Sequence, residues 1–386
     1  MKRFQIAAMF LATLAWYNAA QAQIVLSGNE NKVDLAGGSI KVVPTTQPDS
    51  ISLLDFSRFP PAVTHIMGIA NTVIGPPSNI AISPDGGLAL VANSVRVDPT
   101  ASAGWVPESY VHIMDLTQRP PKVIGRVQTD PQPSGISFTP DGRMALVANR
   151  AGGSVTVLAV DGKNVRTVES IKVADAGGDV ADVGVSPDGK MALACVHVPS
   201  YLAVLKIENG KVTFTGRKIA AYGQPNRCVF TPDGELALTA GAGFGNGVDM
   251  DALTVIDLHG GQPRTTDYVA LGTAPESIEL SPDGRLLAAV VMDGSNLAPD
   301  NPFHAQTGNL VILERRDRTF VRIQRLPVGR IPEGVAFTGD GRYLLVQCHP
   351  DREIWVFEVK DGKVADTGQR ISVPGMPSSL RAARAK

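Results

Sequence analysis

The chain has 386 residues, with 36 basic and 37 acidic side chains and a formal net charge of −1. This length suggests two or three domains unless the chain forms one large all-β unit. Because there is no basic excess to bind phosphate, we expect neither nucleic acid nor anionic membrane surfaces as partners.

The first 22 residues predict an export signal. Two basic residues follow Met1, an apolar stretch runs over residues 4–16, and alanines lie three and one positions before the bond that follows Ala22. This pattern is typical of a secretory signal peptide, and the apolar stretch is short for a bilayer span. A membrane anchor is the alternative. We expect cleavage after Ala22, a mature chain of residues 23–386 without a membrane span, and a periplasmic or secreted location.

A tetrapeptide of the form Ser/Thr-Pro-Asp-Gly recurs along the mature chain, with Gly replacing Pro in the last copy. Pro fixes the first corner of a tight turn, Asp tolerates the second, and Gly adopts the positive φ that lets the chain reverse. Each copy therefore predicts the turn of a β-hairpin, and the copies are 45 to 57 residues apart. They begin at Ser83, Thr139, Ser186, Thr231, Ser281 and Thr338.

Each tetrapeptide lies between two short apolar runs, for example residues 135–138 and 144–148. Two further strand-like segments follow, for example residues 154–158 and 168–173, separated by a polar turn. Four antiparallel strands without helical periodicity are typical of one propeller blade.

The turn between the third and fourth strands occurs seven times, once more than the tetrapeptide, which predicts seven blades. The blade without a tetrapeptide has its second to fourth strands in residues 24–26, 50–54 and 63–66. Residues 377–381 supply its first strand. The predicted fold is thus an all-β, seven-bladed β-propeller closed by N- and C-terminal strands in one blade, which removes exposed sheet edges.

The repeat resembles that of a known group of propellers. The tetrapeptide is followed by a strand such as residues 88–93, and then by one such as 110–116. This pattern resembles exported propellers with YVTN repeats, which are similar in turn to lactonase-type seven-bladed propellers. Leu-Val-Ala-Asn replaces the YVTN tetrapeptide at 90–93 and 146–149. The resemblance implies the fold and a lactonase-like hydrolase activity, but its motif is structural and assigns no functional residues.

Polar residues gather on four consecutive blades at the start of the first strand, which lines the channel of a propeller. One-sided charge at a channel mouth suits an oriented polar ligand, whereas the alternative is that these groups pair with each other and hold water. The residues are Asp182, Asn226, Arg227, Glu276 and Glu333.

A second ring of equivalent positions lies ten residues after the turn proline, where the second strand ends. It contains Ser94, Arg150, His197, Ala242, Met292 and His349. Either histidine suits a general base near neutral pH, and a surface histidine without a role is the alternative. We therefore predict His197, Glu276, Glu333 and His349 as candidate catalytic residues, and Asp182, Asn226 and Arg227 as substrate-binding residues.

Loops after the second strand are expanded at 94–109, 241–251 and 292–309, all on the face of the channel mouth. This concentration favours a pocket there. Acidic and amide side chains in these loops, such as Asp98, Asn246 and Asp300, could hold calcium or another divalent cation, although their spacing is not that of an EF-hand.

Three cysteines remain after processing: Cys195, Cys228 and Cys348. We interpret them as buried free thiols that pack as small apolar groups. A Cys195–Cys228 disulfide between neighbouring blades is the alternative in an oxidising compartment.

Two functions are consistent with these patterns. One is a hydrolase for a small polar lactone or ester, with Arg227 holding an oxyanion or carboxylate and a Glu or His activating water. The other is a non-catalytic exported module that binds a small polar molecule or a partner protein, since fold does not imply function.

Overall fold

The computed structural model describes residues 23–43, 47–72, 74–175, 177–243 and 248–384. Seven four-stranded antiparallel sheets surround a central channel, and a two-stranded ribbon lies outside them. The predicted seven-bladed propeller is confirmed. The expected signal peptide lies outside the described residues. Within them, no helix has the length and apolar character that crossing a membrane requires.

The blades are numbered in chain order, and the strands of each are given from the channel outward. Blade 1 contains Met376–Ala382, Ile24–Glu30, Ser50–Asp55 and Ala62–Met67. Blade 2 contains Ile80–Ile82, Leu88–Val97, Trp105–Asp115 and Lys122–Gln128. Blade 3 contains Pro133–Phe138, Met144–Asn149, Ser154–Asp161 and Asn164–Lys172. Blade 4 contains Val180–Val185, Met191–Val196, Tyr201–Glu208 and Lys211–Ala220. Blade 5 contains Arg227–Phe230, Leu236–Ala240, Asp251–Asp257 and Arg264–Gly272. Blade 6 contains Pro275–Leu280, Leu286–Val291, Asn309–Arg316 and Thr319–Pro327. Blade 7 contains Pro332–Phe337, Tyr343–Cys348, Glu353–Lys360 and Lys363–Ser372. The ribbon pairs Val33–Asp34 with Lys41–Val42, and a short 3-10 helix spans His259–Gly261.

Blade 1 closes the ring with strands from both ends of the chain. Its inner strand, Met376–Ala382, pairs antiparallel with Ile24–Glu30, so that Val25 lies opposite Ala382. The inner strand also packs beside the inner strands of blades 2 and 7. The predicted closure is therefore confirmed, and no inner strand in the described ring lacks a neighbour on either side.

Side-chain chemistry explains the repeated turns. In blade 3 the Thr139 hydroxyl donates to Asp141 Oδ1 at 2.6 Å, and the same oxygen accepts the Arg143 amide at 3.0 Å. Gly142 adopts a φ of 69°, a region that costs glycine no steric strain. Because all these interactions are local, the tetrapeptide sets the hairpin wherever it occurs.

The apolar core lies between neighbouring blades, where the faces of adjacent sheets meet. One cluster joins Leu146 of blade 3 to Val183 and Leu205 of blade 4, and similar clusters fill the other blade interfaces. The cysteines belong to this core. All three are buried and free, in agreement with the interpretation as packed thiols.

The end of the channel opposite the tetrapeptide turns is the channel mouth. Blade 2 carries its expanded loop there largely as a hairpin extension, because Leu88–Val97 continues to pair with Trp105–Asp115. Part of the blade 5 loop, including Asn246, lies outside the described residues. A further long connection joins the second and third strands of blade 1, and its first part, residues 31–43, contains the ribbon. We call residues 31–43 the strap.

Candidate functional site at the channel mouth

Glu276 lies at the channel mouth, as the second residue of the blade 6 inner strand. Its neighbour on blade 5, Asn226, donates from Nδ2 to Glu276 Oε2 at 3.2 Å. Burial raises the pKa of Glu276 to about 7, while Arg150 lowers it and Asp251 raises it further. The carboxyl group is thus poised to exchange a proton near neutral pH.

Arg150 reaches the same region from the end of the blade 3 second strand. It forms an ion pair with Asp179, the residue immediately before the blade 4 inner strand. His197 Nδ1 lies 3.6 Å from Asp179 Oδ2. Burial, followed by the charge of Arg150, lowers the pKa of His197 to about 3, so this histidine is neutral at physiological pH.

Glu333 and Glu30 form the more deeply buried part of the mouth. The side chain of Glu333, on the blade 7 inner strand, is 1% exposed, and burial together with the charges of Glu276 and Glu30 raises its pKa. Burial also raises the pKa of Glu30 to about 8, despite the lowering effect of Lys32. Near neutral pH these carboxyl groups therefore keep protons that an exposed glutamate would release.

His349 is fully buried and contacts different elements from His197. Its Nδ1 lies 3.4 Å from the Pro377 carbonyl oxygen, and its Nε2 lies 3.3 Å from the Val33 carbonyl oxygen. Burial lowers its pKa to about 4. The ring joins the strap to the blade 1 inner strand, and its catalytic role stays a prediction.

Asp182 and Arg227 lie one position further along their inner strands than Asn226 and Glu276. Arg227 donates to Ser277 Oγ at 3.1 Å and forms an ion pair with Glu279. Arg381 lies 3.6 Å from the same carboxylate. Arg227, Glu279 and Arg381 thus form an ion-pair network, and the substrate-binding role of Asp182, Asn226 and Arg227 stays a prediction.

Asp182, on the neighbouring blade 4, is fixed by two hydrogen bonds. It accepts hydrogen bonds from the Cys228 amide at 2.9 Å and the Ser78 hydroxyl at 3.0 Å. To reach Ser78 its side chain crosses Gly135, where an added Cβ would lie 1.9 Å from Asp182 Oδ1. A glycine at position 135 is therefore required by this contact.

Several buried polar atoms around the mouth have no hydrogen-bond partner among the described residues. Buried polar groups in native proteins are nearly always bonded, so such atoms indicate a place for a ligand or ordered water. They include Asn79 Oδ1, Ser134 Oγ, Asp179 Oδ1, His197 Nε2, Thr273 Oγ1, Asn296 Oδ1, Glu333 Oε1 and Ser378 Oγ.

The repeat register predicts Asn226 and Glu276 as neighbours but does not predict Arg150, Asp179 or Glu30 as part of the site. Arg150 occupies the same repeat position as the two predicted histidines, so the repeat alignment contained the signal. Asp179 lies in a connection without repeat register, and Glu30 ends a strand of the one blade that lacks the tetrapeptide. Repeat reasoning could not single out these two.

No group of three His, Cys, Asp or Glu side chains in the described ranges has an arrangement that could hold a metal ion. The predicted calcium or other divalent cation is not tested by this finding, since the blade 5 loop is only partly described. A metal role stays a prediction.

The family profile described as "Lactonase, 7-bladed beta-propeller" matches residues 136–248, from blade 3 into the blade 5 loop. The fold and this match define the class as a seven-bladed β-propeller similar to the lactonase group, which confirms the predicted resemblance. No curated protein matches the sequence.

Solved structures share the whole architecture. A provisionally assigned 6-phosphogluconolactonase from Bacteroides fragilis is 18% identical, with a TM-score of 0.71 over 93% of this chain and 97% of that one. The periplasmic gluconolactonase of Pseudomonas aeruginosa is 21% identical, with a TM-score of 0.65 over 94% and 99%. The hydrazine synthase of Kuenenia stuttgartiensis is 22% identical, with a TM-score of 0.62 over 83% and 96%. At these identities the likeness establishes the fold alone.

Proposed function

We propose that this protein is an exported hydrolase that opens an unphosphorylated lactone or a related small ester at the channel mouth. The observation that carries the proposal is Glu276, a partly exposed carboxyl group with a pKa of about 7, placed within the electrostatic reach of Arg150. A base that titrates near neutral pH beside a fixed positive charge is what hydrolysis of a carbonyl group requires.

In the proposed reaction ionised Glu276 removes a proton from water while the water oxygen attacks the lactone carbonyl carbon. Arg150 stabilises the negative charge that forms on the carbonyl oxygen. The tetrahedral intermediate then collapses and breaks the bond to the ring oxygen, which takes the proton from Glu276. The product is a hydroxy acid that leaves as its carboxylate, with one proton released to solvent.

Other side chains of the mouth orient the substrate. Asn226 holds Glu276 through its amide, and neutral His197 presents the unpaired Nε2 to a ligand hydroxyl. Glu333 is the second carboxyl group within reach of Glu276, and its unpaired Oε1 suits a hydroxyl donor. These contacts would fix a polyhydroxylated molecule with its carbonyl group beside Arg150.

The balance of charges favours an uncharged substrate. The mostly buried cations of the mouth and channel already face carboxylates, while Glu30, Glu276 and Glu333 have no ion pair with a cation in the described chain. A phosphoryl dianion would therefore meet no unpaired buried cation. The pairs are Lys32–Asp49, Arg150–Asp179, Arg227–Glu279 and Arg381–Glu279.

The match to the lactonase profile and the names of two neighbours, a periplasmic gluconolactonase and a provisional 6-phosphogluconolactonase, support the reaction class. The predicted export signal in residues 1–22 supports a periplasmic or secreted location. The predicted small polar partner is then the substrate itself.

The test is a pH-stat assay of residues 23–386 with glucono-δ-lactone and its 6-phosphate, each corrected for spontaneous hydrolysis. We expect turnover of the unphosphorylated lactone, much weaker turnover of the phosphorylated one, and loss of turnover in Glu276→Gln. The control is Glu208→Gln, because Glu208 is exposed on blade 4 and far from the channel.

If the phosphorylated lactone is the better substrate, the charge argument is wrong. If neither is hydrolysed but gluconate binds with a measurable heat, the non-catalytic binding module is the better description. Binding that is lost in Glu333→Gln would then assign the same site to ligand capture alone.

A further inference from the structure

The strap is an insertion between the second and third strands of blade 1. Its ribbon contains two residues in each strand, and consecutive left-handed residues Gly37 and Gly38 form the tip. The strap does not belong to any blade. Its course over the mouth is therefore not required by propeller geometry.

Leu35 at the centre of the strap contacts both sides of the mouth. On one side it packs on the cluster of Val33, Ile74 and Val95, against which Trp105 of blade 2 also packs. On the other it packs with Ala274 and Ile331, which precede the inner strands of blades 6 and 7. The strap thus crosses the channel mouth, and its tip is joined to blade 6 by a 2.6 Å hydrogen bond from the Gly38 amide to the Asn296 carbonyl.

The crossing covers the acidic part of the candidate site. Ala274 and Ile331 lie two residues before Glu276 and Glu333, so Leu35 packs on the segments that lead into these two residues. Glu30 leads into the strap, and its carboxylate accepts the Lys32 amide at 2.7 Å and the Val33 amide at 3.2 Å. Since Glu333 is 1% exposed, a ligand can reach it only if a neighbouring part of the mouth moves.

The attachments of the strap beyond its base are few. The ribbon pairs Val33 with Val42 and Asp34 with Lys41 and is closed by one hydrogen bond from the Val43 amide to the Lys32 carbonyl, whereas each blade strand has a neighbour along most of its length. Ile40 is 57% exposed. Segments with short ladders and few buried apolar contacts open at low free-energy cost without global unfolding.

We propose that the strap is a gate: it opens to admit the ligand to Glu333 and closes over the bound ligand. The proposal rests on the ligand site proposed at the mouth, but it does not depend on turnover there. Lids of this kind exclude water from a site and keep the bound substrate in place until it reacts.

The first experiment follows the strap through Trp105. The mature chain has one other tryptophan, Trp355, which lies under Arg370 on blade 7. In a Trp355→Phe background, acrylamide quenching of Trp105 reports whether the strap covers it. We expect Leu35→Ala to increase the quenching constant and Ile40→Ala, an apolar truncation on the exposed side of the same strap, to leave it unchanged.

The second experiment locks the strap. Cysteines placed at Ser39 and Asn296 are joined by a short bis-maleimide, and the three native cysteines do not compete because they are buried. We expect the cross-linked protein to lose glucono-δ-lactone turnover and gluconate binding. The Ser39→Cys variant treated with the same reagent should keep both, and the treated Asn296→Cys variant is the reference from which the cross-linked protein must differ.

The outcomes separate the gate from the proposed function. Full turnover or gluconate binding in the cross-linked protein overturns the gate and leaves the hydrolase intact. If no variant hydrolyses or binds the probes, the proposed function is wrong. The acrylamide quenching of Trp105 then tests the gate on its own. Quenching that falls on cross-linking and rises in Leu35→Ala supports a strap that opens, whereas quenching unchanged by both refutes it.

Discussion

Replacing Arg227 with methionine tests whether the deeper channel residues are a structural network. Arg227 is 1% exposed, and its guanidinium pairs with Glu279 and faces Asp182. Removing one partner of a buried ion pair costs about 3–5 kcal/mol, because the remaining charge stays buried without compensation. Glu279 is itself 20% exposed, and Arg381 lies 3.6 Å from it and retains part of the attraction, so we expect about 3 kcal/mol, the lower end of that range.

The assay is reversible urea unfolding of the mature protein, followed by circular dichroism. The matched control is Arg316→Met on blade 6. Arg316 pairs with Glu314 and its side chain is 64% exposed, so its replacement should lower the free energy of unfolding by only a small fraction of the Arg227→Met effect. Adding Glu279→Gln to Arg227→Met should restore part of the stability, since it removes the uncompensated charge. Equal losses for the two arginine variants, or a further loss in the double variant, would refute the network.

Three further predictions concern the base, the channel and export. If Glu276 is the base, kcat/KM should rise with pH through about 7, with about one-tenth of the groups ionised at pH 6 and nine-tenths at pH 8; a pH-independent rate would exclude it. Gly135→Ala should destabilise the protein by about 1–3 kcal/mol in thermal unfolding, because the methyl group would overlap Asp182, whereas Gly125→Ala, with 3.8 Å to its nearest neighbour, should be neutral. Mass spectrometry of the protein from a periplasmic extract should show a chain that begins at Gln23, and an intact Met1 would contradict the signal peptide.

The fold could be predicted from the sequence because its determinants are local. The Thr139–Asp141 hydrogen bond and the positive φ of Gly142 need nothing beyond the tetrapeptide itself. Counting repeats then gave seven blades, and the strand-like pattern of residues 377–381 gave the closure. The same repeat register placed Asn226 beside Glu276, and the hydrogen bond between them follows from equivalent positions on neighbouring blades.

The rest of the site depends on side chains that cross the channel mouth. Arg150 belongs to blade 3 and acts on Glu276 of blade 6, a relation that no repeat alignment encodes, because it depends on the length and direction of one side chain. The strap was missed for a similar reason. Residues 31–43 have no counterpart in the other blades, and Leu35 is recognisable as a cover only once its neighbours are known.

The residues at the position of Glu333 in the other blades lead to a final prediction. The equivalent position is Ser78 in blade 2, Ser134 in blade 3 and Ser378 in blade 1, so the fold accepts a small residue there. A buried carboxyl oxygen without a partner costs about 1–3 kcal/mol, and Glu333 therefore does not serve stability.

We expect Glu333→Ser to unfold at the same urea concentration as the parent protein or a higher one, with water filling the polar space that the side chain leaves. The same variant should lose gluconate binding in isothermal titration calorimetry. Glu358→Ser, at an exposed position on the third strand of blade 7, is the control for both measurements. A stability loss comparable to that of Arg227→Met would instead make Glu333 a structural residue, and unchanged binding would remove it from the site. Stability retained and binding lost would mean that the carboxyl group is kept for the ligand, at a position where the propeller itself needs only a serine.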